Sequence, residues 1–369
     1  MNAVALPEGI AYQVGMPLHL THLDHLRDLP FDQVIDVRSP AEFAEDHIPG
    51  AINLPALSND ERARVGTIYV QDSPFQARKI GAALVSRNMA RHIEEVLADK
   101  PRDYRPLVYC WRGGQRSGAV AIILQQIGWR AETIDGGYRA YRRLVQTALH
   151  GAAWPGPVVV LDGNTGTAKT AILQMLRDTG HQVLDLEALA RHRGSIFGGV
   201  EGGQPAQKGF ESALAQAMRD LDPTRVVVVE AESSKVGDLN LPPAIWAAMK
   251  DAPRVEVAAP MAARRRYLVD TYVDITAQPA RLQALISALA PRHSAERIAL
   301  WQAQARAGAF GDLVEGLLSH HYDPRYARQR ARWVDDARHE QVALSGLDAG
   351  ALTQHLPQIA AAIARAAKG

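Results

Sequence analysis

The chain has 369 residues, of which 47% are hydrophobic and 22% are charged, and its formal net charge is +1. This length predicts two domains rather than one core, and the balanced charge argues against a protein that coats nucleic acid through a uniformly basic surface. The single cysteine excludes an internal disulfide framework and any cysteine-based zinc or iron–sulfur cluster. We expect a cytoplasmic protein with a reduced thiol and no membrane partner, because neither a signal peptide nor a membrane-spanning apolar run is visible.

Short apolar runs alternate with helical patterns in the first part of the chain. Strands are predicted at 33–38, 106–109 and 131–135, with a turn and a short strand over 47–55. Helices are predicted to open at Pro40 and to cover 76–97, 117–124 and 138–149. This alternation is typical of an α/β domain with a mainly parallel sheet. The first predicted domain is 1–150.

A second α/β pattern begins after a segment rich in small residues and proline at 151–157, which we interpret as a linker. Strands are predicted at 158–162, 225–230 and 255–257, and their continuous β-branched runs suit strands buried on both faces. From Pro279 onward the pattern is helical almost throughout, with breaks at Pro291 and Pro324 and a terminal helix at 358–368. The second predicted domain is therefore 151–369, of the P-loop type, with a helical C-terminal region.

The single cysteine, Cys110, lies on a predicted strand-to-helix turn with two glycines and two arginines. Successive backbone N–H groups in such a turn stabilise an anion, and the arginines add positive charge. This setting predicts a lowered thiol pKa and a reactive thiolate, although a buried structural cysteine is the alternative. The predicted anion cradle consists of Trp111, Arg112, Gly113, Gly114, Gln115 and Arg116.

A second anion-binding turn is predicted between the strand at 158–162 and a helical run at 171–176. It consists of Gly163, Asn164, Thr165, Gly166, Thr167, Ala168, Lys169 and Thr170. This context is the one a P-loop requires, with backbone N–H groups around a diphosphate, Lys169 on its phosphates and Thr170 available to Mg²⁺. Ala168 departs from the usual glycine and adopts a positive φ less freely. A chance glycine-rich turn is the alternative.

Other polar residues are candidates for substrate or metal contacts, although no residue set makes a metal site certain. Glu230 and Glu232 end a predicted strand, where a solvated strand end is equally consistent. Arg193 and Ser195 lie in a glycine-rich segment that suits a mobile loop over the phosphates or a surface linker. Candidate RNA-backbone contacts, with a solvated helix face as the alternative, are Arg264, Arg265, Arg266, Arg325, Arg328, Arg330, Arg332 and Arg338, with Tyr267, Tyr326 or Trp333 available for stacking.

Three segments of the first domain, at 34–43, 47–51 and 110–117, together resemble a rhodanese domain in order and spacing. The resemblance implies that Cys110 accepts a sulfane sulfur as a persulfide and that Asp36 and Arg38 are structural supports. A phosphatase-like function also fits a cysteine followed by a loop that ends in Arg-Ser, but the upstream segments favour sulfur transfer.

A rhodanese domain followed by a P-loop domain, with further motifs at 192–195, 207–211 and 230–233, resembles the tRNA 2-selenouridine synthase family over nearly the whole chain. The resemblance implies conversion of wobble 2-thiouridine in tRNA to 2-selenouridine, with selenophosphate as donor. It also implies geranyltransferase activity with geranyl diphosphate. On this hypothesis the turn at 163–170 binds geranyl diphosphate, Cys110 takes part in selenium delivery through a selenium-bearing thiol adduct, and the partners are tRNA and a selenophosphate supplier.

Two other functions remain open at this point. One is a tRNA sulfurtransferase or another ATP-dependent thiolation enzyme that carries a persulfide on Cys110. The other is a non-catalytic regulator that senses sulfur and binds nucleotide. The sequence does not indicate an oligomeric state. It also does not show which of the many apolar side chains in the C-terminal half would line a prenyl pocket.

Overall fold

The computed structural model describes residues 16–27, 29–151, 154, 156–330 and 338–368, and the side chains of 329 and 330 are not included. Its contacts divide the chain into two units, 1–152 together with 205–219, and 153–204 together with 220–369. The segment 205–219 thus groups with the first unit, although it lies beyond residue 150 in the sequence. Among the described residues, no helix combines the length and the apolar character needed to cross a membrane.

The first unit is built on a four-stranded parallel sheet among its described residues, in the order β2-β1-β3-β4. A 3₁₀ turn at Leu23–Leu26 precedes the sheet. The strands are β1 (Gln33–Asp36), β2 (Ile52–Asn53), β3 (Pro106–Tyr109) and β4 (Glu132–Thr133). The helices are α1 (Pro40–Glu45), α2 (Asn59–Gln71), α3 (Pro74–Glu95), α4 (Gln115–Ile127), α5 (Gly137–His150) and, later in the chain, α8 (Gln207–Arg219).

A buried ion pair supports the end of β1. Arg38 donates to Asp36 with 2.6 Å between Nη2 and Oδ2, and both side chains are almost completely excluded from solvent. The same Nη2 donates to the carbonyl oxygen of Asp46, and the guanidinium lies 3.9 Å from the ring centre of Tyr138. A charge in this position is tolerated because its donors are satisfied by a carboxylate and a carbonyl.

The second unit contains a five-stranded parallel sheet among its described residues, in the order β11-β10-β5-β7-β6. Its strands are β5 (Val158–Asp162), β6 (Gln182–Leu184), β7 (Val227–Glu230), β10 (Arg254–Ala258) and β11 (His339–Ala343), and β8 (Lys235–Val236) and β9 (Leu239–Asn240) form a separate hairpin. The helices next to the sheet are α6 (Lys169–Asp178), α7 (Leu186–Ala190), α9 (Pro243–Asp251), α10 (Met261–Thr271) and α16 (Ala349–Ala366).

A group of helices follows α10 and has its own apolar core around Trp301 and Ile286. Its members are α11 (Val273–Thr276), α12 (Pro279–Ser287), a 3₁₀ turn (Ala290–Arg292), α13 (Ala295–Arg306), α14 (Phe310–Leu317), a π-helical turn (Leu318–Tyr322) and α15 (Asp323–Arg330). These helices carry side chains toward the turn that follows β5, as described below.

The predicted fold class, two α/β domains with parallel sheets and a helical C-terminal region, is confirmed. One expectation for the C-terminal region is wrong. β11 is a strand within a segment expected to be helical, because its pairing with β10 is a tertiary contact that a short, half-polar run does not indicate. At Pro324 the structure changes from the π-helical turn to α15, and the proline lies in the first turn of α15, where a missing N–H is tolerated.

We predict that Arg38→Leu lowers the free energy of unfolding by about 3–5 kcal/mol, because it leaves the Asp36 carboxylate buried without its partner. Urea-induced unfolding followed by circular dichroism measures the change. The control is Arg64→Leu on the exposed face of α2, which should alter stability by no more than about 0.5 kcal/mol. Equal stability of the two variants would contradict a supporting role for the ion pair.

Candidate functional site

Cys110 follows β3 and lies in the turn that leads into α4. Its side chain is buried, and the Ser117 hydroxyl donates a hydrogen bond to the sulfur at 3.2 Å. Burial raises the pKa of the thiol, but this bond and the backbone N–H groups of Ser117, Arg112 and Gly114 more than compensate, so the pKa lies below its ordinary value. The turn therefore favours a thiolate, as an anion-binding loop should.

The cradle side chains differ in where they point. Arg112 and Gln115 are exposed, whereas the Trp111 ring packs 5.2 Å from that of Tyr138. Arg116 is turned toward Glu42, with 2.9 Å between Nη1 and Oε2. We therefore attribute the lowered thiol pKa to hydroxyl and N–H donors rather than to the two guanidinium charges, which revises the reasoning from sequence.

The Cys110 turn is held against the start of α5 by two glycines. Gly113 has φ +65°, and a Cβ there would lie 2.5 Å from the carbonyl oxygen of Ile134. A Cβ on Gly137 would overlap the carbonyl oxygen of Cys110, which instead accepts a hydrogen bond from the Tyr138 N–H at 2.9 Å. This close approach requires glycine at position 137, which the sequence analysis did not single out.

The turn after β5 has the form of a P-loop that leads into α6. Lys169 Nζ donates to the carbonyl oxygen of Gly163 at 2.9 Å and lies 5.7 Å from the ring centre of Tyr326. Ala168 has φ 60° and ψ 28°, so this position adopts the left-handed conformation despite its Cβ, at a cost of about 1–2 kcal/mol. The departure from glycine therefore leaves the loop turn in place.

A cluster of carboxylates lies beside the P-loop because β5, β7 and β6 are neighbours, and the carboxyl ends of parallel strands meet at one edge. Thr170 Oγ1 donates to Glu187 Oε2 at 2.9 Å, and the Glu187 N–H donates to Glu230 Oε1 at 2.6 Å. Burial, followed by the charge of Glu187, raises the pKa of Glu232 to about 8. Sequence reasoning missed Glu187, since it follows β6, which was not predicted.

The segment that carries Arg193 and Ser195 covers these carboxylates. Gly194 has φ +68°, and a Cβ there would overlap carboxylate oxygens of both Glu187 and Glu232. Arg193 forms a two-pronged ion pair with Asp274, at 3.1 and 2.6 Å. Ser195 lies in the same cavity wall as Tyr272 and Tyr322. The segment is therefore tied to the helices after α10.

Three cavities of the second unit meet at this segment. The first, of about 250 Å³, is bounded by the P-loop, Glu187, Glu232 and Tyr326, and it is called the diphosphate cavity after the ligand that the sequence predicts for it. The apolar cavity, of about 70 Å³, lies between α10, α11, α14 and the π-helical turn. The cationic cavity, of about 610 Å³, has Lys235, Arg292 and Arg325 in its wall.

The cavities share walls. The diphosphate and apolar cavities have Thr165, Ser195, Leu268 and Tyr272 in common. The diphosphate and cationic cavities share Gly194, Ser195, Glu232 and Tyr326. Ser195 borders all three, which places this predicted contact residue at their junction.

The predicted tRNA contacts are not equally placed for that role. Arg264 is buried, donates to the carbonyl oxygen of Thr165 at 2.9 Å and pairs with Asp323 at 2.7 and 2.9 Å, so it is not positioned for an RNA-backbone contact. Arg265 pairs with Glu315, while Arg266, Arg325 and Arg328 are exposed. Arg332 and Trp333 lie outside the described residues, as does the side chain of Arg330.

Metal ligands are sparse in the part of the chain that the structure describes, where no group of three or more His, Cys, Asp and Glu side chains could hold an ion. The Thr170 hydroxyl and Glu187 carboxylate nevertheless offer two adjacent oxygens next to Lys169. This donor set suits Mg²⁺, which takes one or two carboxylates and completes its shell with substrate phosphates.

Comparisons with known proteins match both units. The rhodanese-like domain family matches residues 21–144, and the tRNA 2-selenouridine synthase AAA domain family matches residues 156–300. A tRNA 2-selenouridine synthase of Nitrosomonas europaea is 34% identical over 277 residues, which cover 73% of this chain and 72% of the relative. One of Pseudomonas syringae pv. syringae is 36% identical over 342 residues, covering 83% and 89%. One of Pseudomonas fluorescens is 32% identical, covering 93% and 99%.

We predict that Ser117→Ala raises the pKa of the Cys110 thiol, because the thiolate loses a hydroxyl donor. The rate of alkylation by iodoacetamide should then rise at higher pH than in the unchanged protein. Because Cys110 is the sole cysteine, the measured rate belongs to one group. Ser86→Ala, at an exposed position of α3, is the control. A pH profile that does not move in Ser117→Ala would contradict the assignment.

Proposed function

The chain belongs to the tRNA 2-selenouridine synthase family, and we propose that it acts on wobble 2-thiouridine in two steps, S-geranylation at the P-loop and selenation that requires Cys110. Family membership makes it a tRNA-modifying enzyme that replaces the sulfur of 2-thiouridine with selenium. The proposal concerns the route and the co-substrates, geranyl diphosphate and selenophosphate.

The main support for the first step, S-geranylation, is that the diphosphate and apolar cavities share part of their walls. The side chains around the apolar cavity are almost all hydrocarbon or aromatic, and they include Phe197, Leu268, Val269, Ile275, Leu313 and Leu317. A nucleoside needs polar partners for its sugar and base, whereas an isoprenoid chain needs none. A diphosphate held by the P-loop with an apolar tail in the neighbouring cavity is the ligand that matches both.

The P-loop acts on the leaving group. Backbone N–H groups at the start of α6 and the Lys169 ammonium stabilise the negative charge that develops on the diphosphate as the bond to the prenyl carbon breaks. Thr170 and Glu187 would hold Mg²⁺ against the same oxygens. When bound, the ion supplies further neutralisation of the leaving group.

The atoms of this step balance without a redox partner. The carbon–oxygen bond of geranyl diphosphate breaks, and a bond forms between that carbon and the sulfur of 2-thiouridine. Diphosphate leaves, and the N3 proton of the base is released. The product is a thioether, from which geranylthiolate leaves C2 more readily than the original thiocarbonyl sulfur does.

The second step exchanges sulfur for selenium at C2. The C2–Se bond forms, geranylthiol leaves, and water takes the phosphoryl group of selenophosphate. Cys110 supports this step because it is a nucleophilic thiolate in an anion-binding turn. Selenium has the same oxidation state in selenophosphate and in the product, so the exchange needs no oxidant.

We predict that Lys169→Ala and Cys110→Ala fail at different steps. Each variant is incubated with 2-thiouridine tRNA, geranyl diphosphate and selenophosphate, each omitted in turn, and the wobble nucleoside is identified by mass spectrometry. Lys169→Ala should geranylate at least about 100-fold more slowly, since it loses leaving-group stabilisation. Cys110→Ala should geranylate normally and accumulate the thioether. Normal geranylation by Lys169→Ala would contradict the role of Lys169 in geranylation. Formation of selenouridine by Cys110→Ala would contradict the role of Cys110 in selenation.

We predict that Val269→Phe weakens geranyl diphosphate binding by roughly 10-fold or more, because the added ring fills part of the apolar cavity. Calorimetry should show unchanged affinity for inorganic diphosphate, which does not enter that cavity. Val273→Phe is the matched control, since Val273 lies four residues further on and is 58% exposed. Equal loss for both ligands would indicate a damaged P-loop rather than a narrowed prenyl site.

A further inference from the structure

We propose that the cationic cavity binds the acceptor nucleotide, with the RNA phosphates against Arg292 and Arg325 and the base beside Tyr326 at the junction marked by Ser195. The inference rests on the proposed function, because it places the second substrate of the same reaction, the RNA, beside the binding site of the donor. The ligand that we infer is a single-stranded RNA nucleotide. Arg292 and Arg325 take the place of the buried Arg264 as candidate contacts to the RNA backbone.

The cations of this cavity are available to a ligand. In the part of the chain that the structure describes, no carboxylate pairs with Lys235, Arg292 or Arg325, and all three are exposed. Arg264 and Arg193, by contrast, are held by the carboxylates of Asp323 and Asp274. The wall also contains Glu232 and Asp238. The positive charge that a phosphodiester backbone requires therefore comes from one ammonium and two guanidinium groups that have no ion pair among the described residues.

His321 is a neutral member of this wall. Burial lowers its pKa to about 4, and the nearby charges of Arg325 and Arg292 and the neighbouring His293 contribute in the same direction. The ring is therefore neutral near pH 7 and hydrogen-bonds to His293, with 2.9 Å between Nδ1 and Nε2. The wall attracts anions through its arginines, and the histidine does not add to its charge.

The same cavity has groups that suit a nucleobase. Tyr322 and Tyr326 contribute aromatic rings to its wall, and base–aromatic stacking is the usual sequence-tolerant contact to unpaired RNA.

The position of the cavity fits the reaction. Tyr326 also borders the diphosphate cavity, where its ring centre lies 5.7 Å from Lys169 Nζ. Ser195 and Tyr322 border the apolar cavity as well. A base beside Tyr326 would therefore present its sulfur toward the point at which the diphosphate and the prenyl tail of the donor meet, which is where the new S–C bond must form.

The test measures RNA binding by fluorescence anisotropy, using an anticodon stem-loop that contains 2-thiouridine, at several salt concentrations and without donor. Arg325→Ala and Arg292→Ala should each weaken binding roughly 10-fold and reduce the salt slope by about 0.7. Arg306→Ala, at an exposed position of α13, is the charge-matched control and should change neither quantity. Calorimetry with geranyl diphosphate should give the same affinity in all four proteins.

A second measurement locates the base directly. A stem-loop with 4-thiouridine at the wobble position is irradiated with near-ultraviolet light on the full-length chain, and the crosslinked peptide is identified by mass spectrometry. Crosslinks should fall on Tyr326 or on its neighbours in the cationic cavity. Unchanged binding in both arginine variants, or crosslinks confined to α10 or to Arg328, would overturn the inference. The assays contain no donor, so a failure of geranylation alone would count against the proposed function and leave this result standing.

Discussion

The buried guanidinium of Arg264 makes the contacts on which the proposed reaction centre depends. It joins the carbonyl oxygen of Thr165, inside the P-loop, to the carboxylate of Asp323 at the start of α15. Arg264 itself belongs to α10, which supplies Leu268 and Val269 to the apolar cavity. One satisfied charge therefore holds the phosphate loop, the apolar wall and the helix that bears Tyr326 in a single arrangement. A buried cation is stable here because each of its three nitrogen atoms donates to an oxygen.

The two anion-binding turns stabilise negative charge with different chemical groups. Each follows a buried parallel strand and precedes a helix, so backbone N–H groups converge on one point. The Cys110 turn adds the Ser117 hydroxyl and is held by close contacts at Gly113 and Gly137. The P-loop adds the Lys169 ammonium and accepts the strain of Ala168. The first turn favours a thiolate, and the second favours a diphosphate.

Three kinds of surface meet at Ser195, and each matches one part of the proposed reaction. The P-loop side bears N–H groups and Lys169, which suit the leaving diphosphate. The side between α10 and α14 is apolar, as an isoprenoid chain requires. The side with Arg292 and Arg325 is cationic and aromatic, as an RNA nucleotide requires. The proposal of a prenyl diphosphate rather than a nucleoside triphosphate rests on this chemical contrast between adjacent walls and not on any one residue.

The sequence by itself determined the local features, which are the parallel α/β class, the β5 strand with its P-loop, and the turn that carries Cys110. These features are predictable because strand periodicity and loop composition depend on a few neighbouring residues. Only the tertiary structure decided which distant groups meet. Glu187 joins Thr170 because β6 lies next to β7, and β11 exists because it pairs with β10. Arg264 and Arg325 look alike in the chain, yet packing buries one against Asp323 and leaves the other exposed. Side-chain burial and cavity walls arise from contacts between residues far apart in sequence, and no local pattern encodes them.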